Sequence, residues 1–378
     1  MALVKLEVKQ VADLVNDATK QILGETDVLA EDLSNVIDLG KAIENAECYS
    51  AITCNLLLKI GMSIYVNRPY KSNTPNVIRT NVEFGQLIAK TRGKLDKAMA
   101  NQSWNLVDGA SYDDKQYIES TTTTKIFSKR DAYEIRKSIT DEQIKGAFKS
   151  AGELMEFISM LFTLVYNSLE VKRDSLVMMT ICNMIGEVAN ANKASQYINL
   201  RTLYNSTKGT SLTASNCIYD KDFLKFATGI IKKYSKLMTK YSTLYNVNGE
   251  ETFTPKELQH IILLDEFADN CFTYLSSDTF HDEFVALPYH ETVPYWQGTG
   301  DDVDELSKIN IKTASGTDTT LSGIIGVIFD HDALGVTEDK PTVTTEPCKS
   351  AEFTNWWFKQ KVGYFNDLNE NAIVFTIA

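Results

Sequence analysis

The sequence has few histidines and none of the common catalytic motifs. Only four histidines occur in 378 residues, and so small a number limits acid–base chemistry near neutral pH. No G-x-x-x-x-G-K-[ST], H-E-x-x-H, G-x-S-x-G or G-x-G-x-x-G pattern occurs, so the motifs that hold phosphates, zinc, a nucleophilic serine or a dinucleotide are absent. What stays open is a pair of carboxylates that only the fold would bring together.

The chain also lacks an excess of basic charge, closely paired cysteines and a long apolar run. Its 50 acidic and 38 basic residues give a net charge of −12, which argues against a protein that coats nucleic acid but not against one that encloses it. Six scattered cysteines form no Cys-x-x-Cys pair, which is typical of reduced thiols in a cytosolic protein. The N-terminus lacks the apolar core of a signal peptide. Polar residues interrupt the longest apolar stretch, Leu154–Tyr166, so we expect no membrane span.

Proline is absent between Asn76 and Thr254, so this region can hold long uninterrupted elements. Thr140 and Gln143 form a capping-box pattern, and the apolar spacing behind them predicts one helix over 140–170. A second helical pattern follows at 176–191, and the lysine-rich segment 221–240 predicts an amphipathic helix. The length of the chain allows roughly two to three domains.

The N-terminal part is helical in pattern before the chain becomes extended. Gly24 and Gly40 punctuate the pattern, so we expect several short helices up to about Ile60. Ile64–Val66 then predicts a strand.

The segment Trp104–Ile135 is rich in threonine and aromatic residues, which favour extended chain. It has too few apolar residues to build a core of its own. We predict a long polar β-hairpin, with a turn at Asp108-Gly109. Because a lone hairpin is poorly stable, we expect it to lie on a neighbouring subunit.

Apolar and alternating segments predict several strands in the second half of the chain. Ile324–Phe329 is short, continuous and rich in β-branched residues, as in a strand buried on both faces. The other predicted strands are Gln259–Leu264, Lys308–Lys312 and the closing segment Ala372–Ala378.

Asp330-His331-Asp332 ends the buried strand and resembles a metal or catalytic site. Carboxylates and imidazole can bind a metal, but adjacent residues of an extended chain point to opposite sides, so only Asp330 and Asp332 would face one ion. The alternative is a turn that aspartate–backbone hydrogen bonds hold in place, and we favour it.

Two other patterns are weak matches to known enzyme motifs. Ile261–Leu264 with Asp265 and Glu266 has the form of a Walker B strand, whose aspartate holds magnesium; without a phosphate loop we favour a strand that ends at a helix with Asp265 as its N-cap. His281-Asp-Glu283 with Pro347-Cys348 partly matches the zinc deaminase signature, but residue 351, where the second cysteine would stand, is alanine.

The lysines of 221–240 could bind phosphate or an anionic polymer, but a solvated face or an interface with an acidic neighbour is the favoured interpretation. We therefore predict no catalytic, cofactor-binding or metal-binding residues, no cofactor and no enzyme activity.

The order of segments along the whole chain resembles the major capsid proteins of tailed phages. The segments that carry the resemblance are Glu25–Leu33, Phe280–Phe284, Val293–Gly298, Gly326–Gly335 and Gly363–Glu370. It is similar above all to the head proteins of small short-tailed phages of Gram-positive bacteria. The resemblance implies an α+β fold, the Hong Kong 97-type coat fold, with an N-terminal arm, an extended loop, a spine helix, and peripheral and axial domains.

By pattern, the arm falls at 1–60 and the extended β-hairpin loop at 61–137. The peripheral domain with the spine helix falls at 138–200, the axial domain at 201–306 and the closing peripheral strands at 307–378.

The resemblance implies a major capsid protein whose copies assemble into hexamers and pentamers of an icosahedral head around double-stranded DNA. Implied partners are other copies of the chain, scaffolding and portal proteins, and packaged DNA through non-specific contacts, with no membrane. The implied location of the protein is the virion, after assembly in the bacterial host cytoplasm. Two alternatives are an encapsulin-like non-viral shell and a nucleotide- or metal-dependent enzyme that uses Asp265, Glu266 or the Asp330/Asp332 pair.

Overall fold

A computed structural model of the chain describes residues 7–23, 28–45, 49–66, 75, 77–79, 88–96, 98, 100, 104, 107–111, 119, 121–128, 130–276, 287–297, 309–313, 315–339 and 341–378. The chain forms two compact units. The first unit comprises Met1–Gly85, Arg130–Thr180 and Val336–Tyr364, and the second comprises Gln86–Lys129, Ile181–Gly335 and Phe365–Ala378.

The helices in chain order are α1 (Val8–Leu23), α2 (Val36–Asn45), α3 (Tyr49–Val66), α4 (Asp141–Ala147), α5 (Ala151–Ala191), α6 (Leu200–Lys208), α7 (Ala214–Cys217), α8 (Lys221–Leu237) and α9 (Asp265–Ser276). The strands are β1 (Ile78–Arg79), β2 (Ile88–Gly93), β3 (Thr122–Phe127), β4 (Arg130–Thr140), β5 (Tyr197–Asn199), β6 (Gln259–Leu264), β7 (Glu291–Val293), β8 (Ile309–Lys312), β9 (Asp318–Leu321), β10 (Ile324–Asp330), β11 (Leu334–Glu338), β12 (Thr342–Cys348), β13 (Phe353–Asn366) and β14 (Ala372–Thr376).

The first unit packs helices against one face of a sheet. Its strands lie in the order β1-β11-β13-β12, and β4 also pairs with β13. Alternate residues of β13 point inward, so Trp356 and Phe358 join a core that α1 to α5 complete, with Ile43, Ile60 and Leu154 among its buried members.

Two predictions in the N-terminal part are wrong. Ile64–Val66 is the last turn of α3 and not a strand. Gly40 does not end a helix but lies inside α2, where a Cβ would stand only 2.9 Å from the Cβ of Phe148. The glycine therefore lets α2 and the segment after α4 approach closely, which offsets its poor helix propensity.

The predicted capping box at Thr140 is confirmed, but the helix behind it is shorter than predicted. The Thr140 side chain accepts a hydrogen bond from the Gln143 amide, and the Gln143 side chain accepts one from the Thr140 amide. The helix ends at Ala147, and a new one begins because Ser150 Oγ accepts from the Glu153 amide at 3.3 Å. That second helix, α5, runs to Ala191 and so includes the separate helix predicted at 176–191.

Thr140→Ala is expected to lower the free energy of unfolding by about 1 kcal/mol, because the Gln143 amide loses the hydroxyl that accepts its hydrogen bond. Urea unfolding followed by circular dichroism measures the change. Thr140→Ser keeps the hydroxyl and serves as the control, and an equal loss in both variants would show that the cap contributes nothing.

The long helix α5 also meets the length and composition of a membrane span, the only described helix to do so. Residues along the whole of this helix are buried, among them Ile158, Val165 and Ile181. Core helices of soluble proteins pass the same test, so this feature is weak evidence for a span.

The second unit is built on a sheet with the strand order β5-β14-β10-β6-β7. β10 lies in the middle, is buried along its whole length and pairs antiparallel with both β14 and β6. The predicted strands at 259–264 and 324–329 and the predicted closing strand are therefore confirmed. The alternating strand predicted at 308–312 is found as β8, paired with β9.

A two-stranded sheet of β2 and β3 also belongs to the second unit. The predicted hairpin placed both strands within 104–135, and this is wrong. The partner of β3 is β2, which lies upstream at Ile88–Gly93, whereas β4 pairs with β13. The turn predicted at Asp108-Gly109 is confirmed, since Gly109 has φ of +83° and Ala110 donates to the Val107 carbonyl at 3.1 Å.

Candidate functional site

The end of β10 is a turn held by Asp330, as favoured from the sequence. Asp330 Oδ1 accepts from the Asp332 amide at 2.8 Å, and the Asp330 carbonyl accepts from the Ala333 amide at 2.8 Å. Thr254 donates to Asp330 Oδ2 at 2.6 Å. Both carboxylate oxygens are thus occupied by the protein itself, and burial raises the pKa of Asp330 against the opposing effect of these hydrogen bonds.

A second group of charged residues lies beside this turn, and we name it the charge cluster: Lys90, Arg92 and Lys125 from β2 and β3, with Asp367 and Glu370 from the segment between β13 and β14. Asp367 bonds Lys90 at 3.1 Å and Lys125 at 3.0 Å. Glu370 pairs with Arg92 at 2.5 Å and also with Lys90. The side chains of both acids are only 3% exposed.

The strand register explains why β2 and β3 need these acids. Lys90 stands directly opposite Lys125 in the antiparallel pair, and like charges in that position repel. Asp367 contacts both ammonium groups, one with each carboxylate oxygen. Burial alone would raise the pKa of Asp367, but Lys90 and Lys125 hold it below its ordinary value. The charge cluster therefore attaches the β2–β3 sheet to the segment between β13 and β14.

An aromatic contact assists this attachment. The rings of Phe127 and Phe365 lie 4.9 Å apart between centroids, whereas Ile126 is 60% exposed. The Lys90 ammonium also donates to the Asp332 carbonyl at 3.0 Å. Because several of the contacts are ionic, the attachment depends on the charge state of the acids and on salt.

The structure does not assemble the alternative metal and nucleotide sites from the residues it describes. Asp265 and Glu266 begin α9 directly after β6, and Glu266 Oε1 accepts from the Tyr219 hydroxyl at 2.9 Å. Within the described ranges, no group of three or more His, Cys, Asp and Glu side chains is placed to hold a metal ion. His281 and Glu283 lie outside the described residues, and Cys348 belongs to β12 of the first unit.

A histidine pair next to the turn was missed from the sequence. His260 Nε2 lies 2.9 Å from His331 Nδ1, and the two rings stack with centroids 5.2 Å apart. Residues 260 and 331 are distant in the chain, and only the pairing of β6 with β10 brings them together. Since no third ligand joins them among the described residues, we assign the pair a packing role.

The first unit contains a buried ion pair that sequence analysis also missed. Arg173 Nε on α5 donates to Glu338 Oε1 at 2.5 Å, and its Nη2 donates to the other carboxylate oxygen. The two side chains are 7% and 8% exposed. Such a bidentate pair fixes geometry more strongly than a single contact.

Comparison with known proteins finds a family that matches most of the chain. A family described as Phi29-like phage major capsid protein matches residues 13–376. No curated protein matches significantly.

Similar solved structures include the capsid of Staphylococcus phage Andhra, with 10% identity and a TM-score of 0.49, covering 81% of this chain and 84% of that chain. A structure of head fiber and inner core protein gp22 of native bacteriophage P68 has 9% identity and a TM-score of 0.46, covering 82% and 88%. The capsid of cyanophage P-SCSP1u has 11% identity and a TM-score of 0.44, covering 80% and 86%.

Proposed function

This chain belongs to the Phi29-like phage major capsid protein family, and from this premise we propose that its copies build a phage head from rings of six and of five subunits. The single observation that carries the proposal is the family match over residues 13–376. The predicted capsid role, the virion location and the α+β Hong Kong 97-type fold are confirmed. Membership in a structural family also implies a non-enzymatic role.

The charge of the chain supports a shell that encloses nucleic acid without coating it. The net charge is −12, and a wall of that sign repels phosphates instead of condensing on them. Three basic side chains of β2 and β3 are engaged by Asp367 and Glu370. We propose that double-stranded DNA contacts the shell only non-specifically and that scaffolding and portal proteins are further partners during assembly in the host cytoplasm.

The assignment of the capsid subdomains to residue ranges is a proposal. We assign the arm to 1–60, the extended loop to 61–137, the peripheral domain to 138–200 with 307–378, and the axial domain to 201–306. The support is the order of elements: helices first, then the β2–β3 pair, the long helix α5 and the central sheet around β10.

Electron microscopy of the purified chain, alone and with a scaffolding protein, tests the proposed function. We expect closed shells, or rings of six and five copies, and a particle mass that is a multiple of 42.4 kDa. A chain that stays monomeric under both conditions would contradict the proposal. The encapsulin-like alternative predicts shells that enclose a cargo protein instead of DNA, and the family match does not favour it.

A further inference from the structure

The exposed face of α8 is basic and has a gap at its centre. Lys225, Lys232, Lys233 and Lys236 stand three, four or seven residues from Gly229 and so share its face. Gly229 is exposed, and nothing lies within 4 Å of the position where a Cβ would stand. A glycine in an exposed helix interior is unfavourable relative to alanine, and no neighbour within the described chain requires it there.

The exposed face of α9 has the opposite charge and a protruding ring. Glu266 and Asp269 are exposed on this helix. Phe272 follows on the same face, one turn after Asp269, and is 76% exposed. A large aromatic side chain so open to water, with acids beside it, has the composition of an interface anchor.

The two helices pack against each other within the second unit. Thr228 Oγ1 of α8 is 3.9 Å from Cys271 Sγ of α9, and Gly229 and Phe272 are the next residues on the two helices. The unit therefore carries a basic surface with a small gap on α8 and an acidic surface with a projecting ring on α9. Such a pair of surfaces is complementary between two copies of the same chain.

We propose that α8 and α9 form a contact between neighbouring subunits of the shell. Phe272 of one copy packs over Gly229 of the next, and Glu266 and Asp269 face Lys233 and Lys236 across the interface. Because Gly229 has no side chain, the Phe272 ring of the neighbouring copy can pack there. The opposite charges on the two helices set their relative orientation. This contact rests on the proposed function, because it needs a chain that self-assembles.

Gly229→Leu tests the packing half of the contact. Leucine is a good helix former and meets open space, so the thermal midpoint of the isolated subunit should stay the same or rise. The fraction of subunits in shells or rings should fall about tenfold or more, as when an interfacial anchor is lost. Gly152→Leu is the matched control, since Gly152 is exposed in α5 and has only Ser150 Oγ within reach at 3.9 Å. Normal assembly of Gly229→Leu would overturn the contact.

Inverting the charges tests the orientation. One variant carries Lys233→Glu with Lys236→Glu, a second carries Glu266→Lys with Asp269→Lys, and a third carries all four changes. Sedimentation at low salt should show about tenfold less assembly in the first two, because like charges then face each other. The third should recover, which separates a lost contact from a misfolded subunit.

The outcomes distinguish this contact from the proposed function. If the wild type assembles but the four-fold variant does not recover assembly, the contact alone is overturned. If the wild type is strictly monomeric, the contact and the proposed function are both overturned. If the first variant assembles normally but binds DNA fragments less than the wild type does, the lysines serve nucleic acid and the contact is overturned.

Discussion

Arg173→Met is expected to lower the free energy of unfolding by about 3–5 kcal/mol, the cost of leaving a buried charge without its partner. Glu338 is 8% exposed and receives both of its ionic contacts from Arg173. Methionine fills a similar volume, so packing changes little and the loss reports mainly on the orphaned carboxylate. Urea unfolding of the isolated subunit measures it.

Glu338 also affects titratable groups other than Arg173 in the first unit. Burial raises the pKa of Glu170, and Asp174 and Glu338 raise it further. Burial also raises the pKa of Tyr133, with Glu338 adding to the effect. Glu338, the partner of Arg173, thus also acts on the pKa values of two other groups of the first unit.

The paired variant provides the control for Arg173→Met. Glu338→Leu alone should also destabilise the subunit, because Arg173 then loses both hydrogen bonds of the bidentate pair. The double variant Arg173→Met with Glu338→Leu should recover most of the loss, since an apolar pair can replace a buried ion pair at little cost. Single losses that simply add in the double variant would show that the two side chains act independently.

Predictions that rest on neighbouring residues were confirmed. The capping box at Thr140 needs only the side chain three residues on, and the turn at Asp330 needs only the amide two residues on. The strand predicted at Gln259–Leu264 is found in the structure with the same bounds, because the apolar run is too short for a typical helix.

Predictions that depend on distant partners were wrong or could not be made. Ile64–Val66 is β-branched and aromatic, which favours strand, but it continues a helix whose preceding residues pack in the core. Gly40 has the appearance of a helix stop until Phe148 is seen beside it. Local propensity gives way to packing in both cases.

The charge cluster shows the same limit for the candidate site. Asp367 and Glu370 lie in the segment Gly363–Glu370 that supports the family resemblance, but nothing nearby marks them as partners of cations. Lys90 is 280 positions away from Glu370. A hint was present in the sequence of β3, where Lys125 directly follows a run of four threonines. The strand register places this lysine opposite Lys90.

Asp367→Asn is expected to destabilise the second unit by about 2–4 kcal/mol, because Lys90 and Lys125 then face each other in a partly buried site with half of their counter-charge. Asparagine has the same shape and can still accept from the Asn369 amide, which Asp367 Oδ1 now does at 3.1 Å. The loss should be concentrated in β2 and β3. Hydrogen exchange of the amides of 88–93 and 122–127 measures it.

The pH dependence of the wild type gives the same contact a second measurement. The folded-state pKa of Asp367 lies below 3.8, so its contribution to stability is fully present above the unfolded value of the pKa and is lost as pH falls through the folded value. The difference in unfolding free energy between wild type and Asp367→Asn should therefore shrink below about pH 4. A difference that stays constant to pH 2 would assign the loss to shape and not to charge.

A compensating change separates charge balance from a general loss of folding. Asp367→Asn together with Lys125→Met removes one charge of each sign and leaves Lys90 paired with Glu370. This variant should regain protection in β2 and β3, whereas Lys125→Met alone should have a small effect because Asp367 then still pairs with Lys90. Equal exchange rates in the single variant Asp367→Asn and the wild type would mean that the ionic contacts do not hold the two strands, and that the ring contact of Phe127 with Phe365 does so instead.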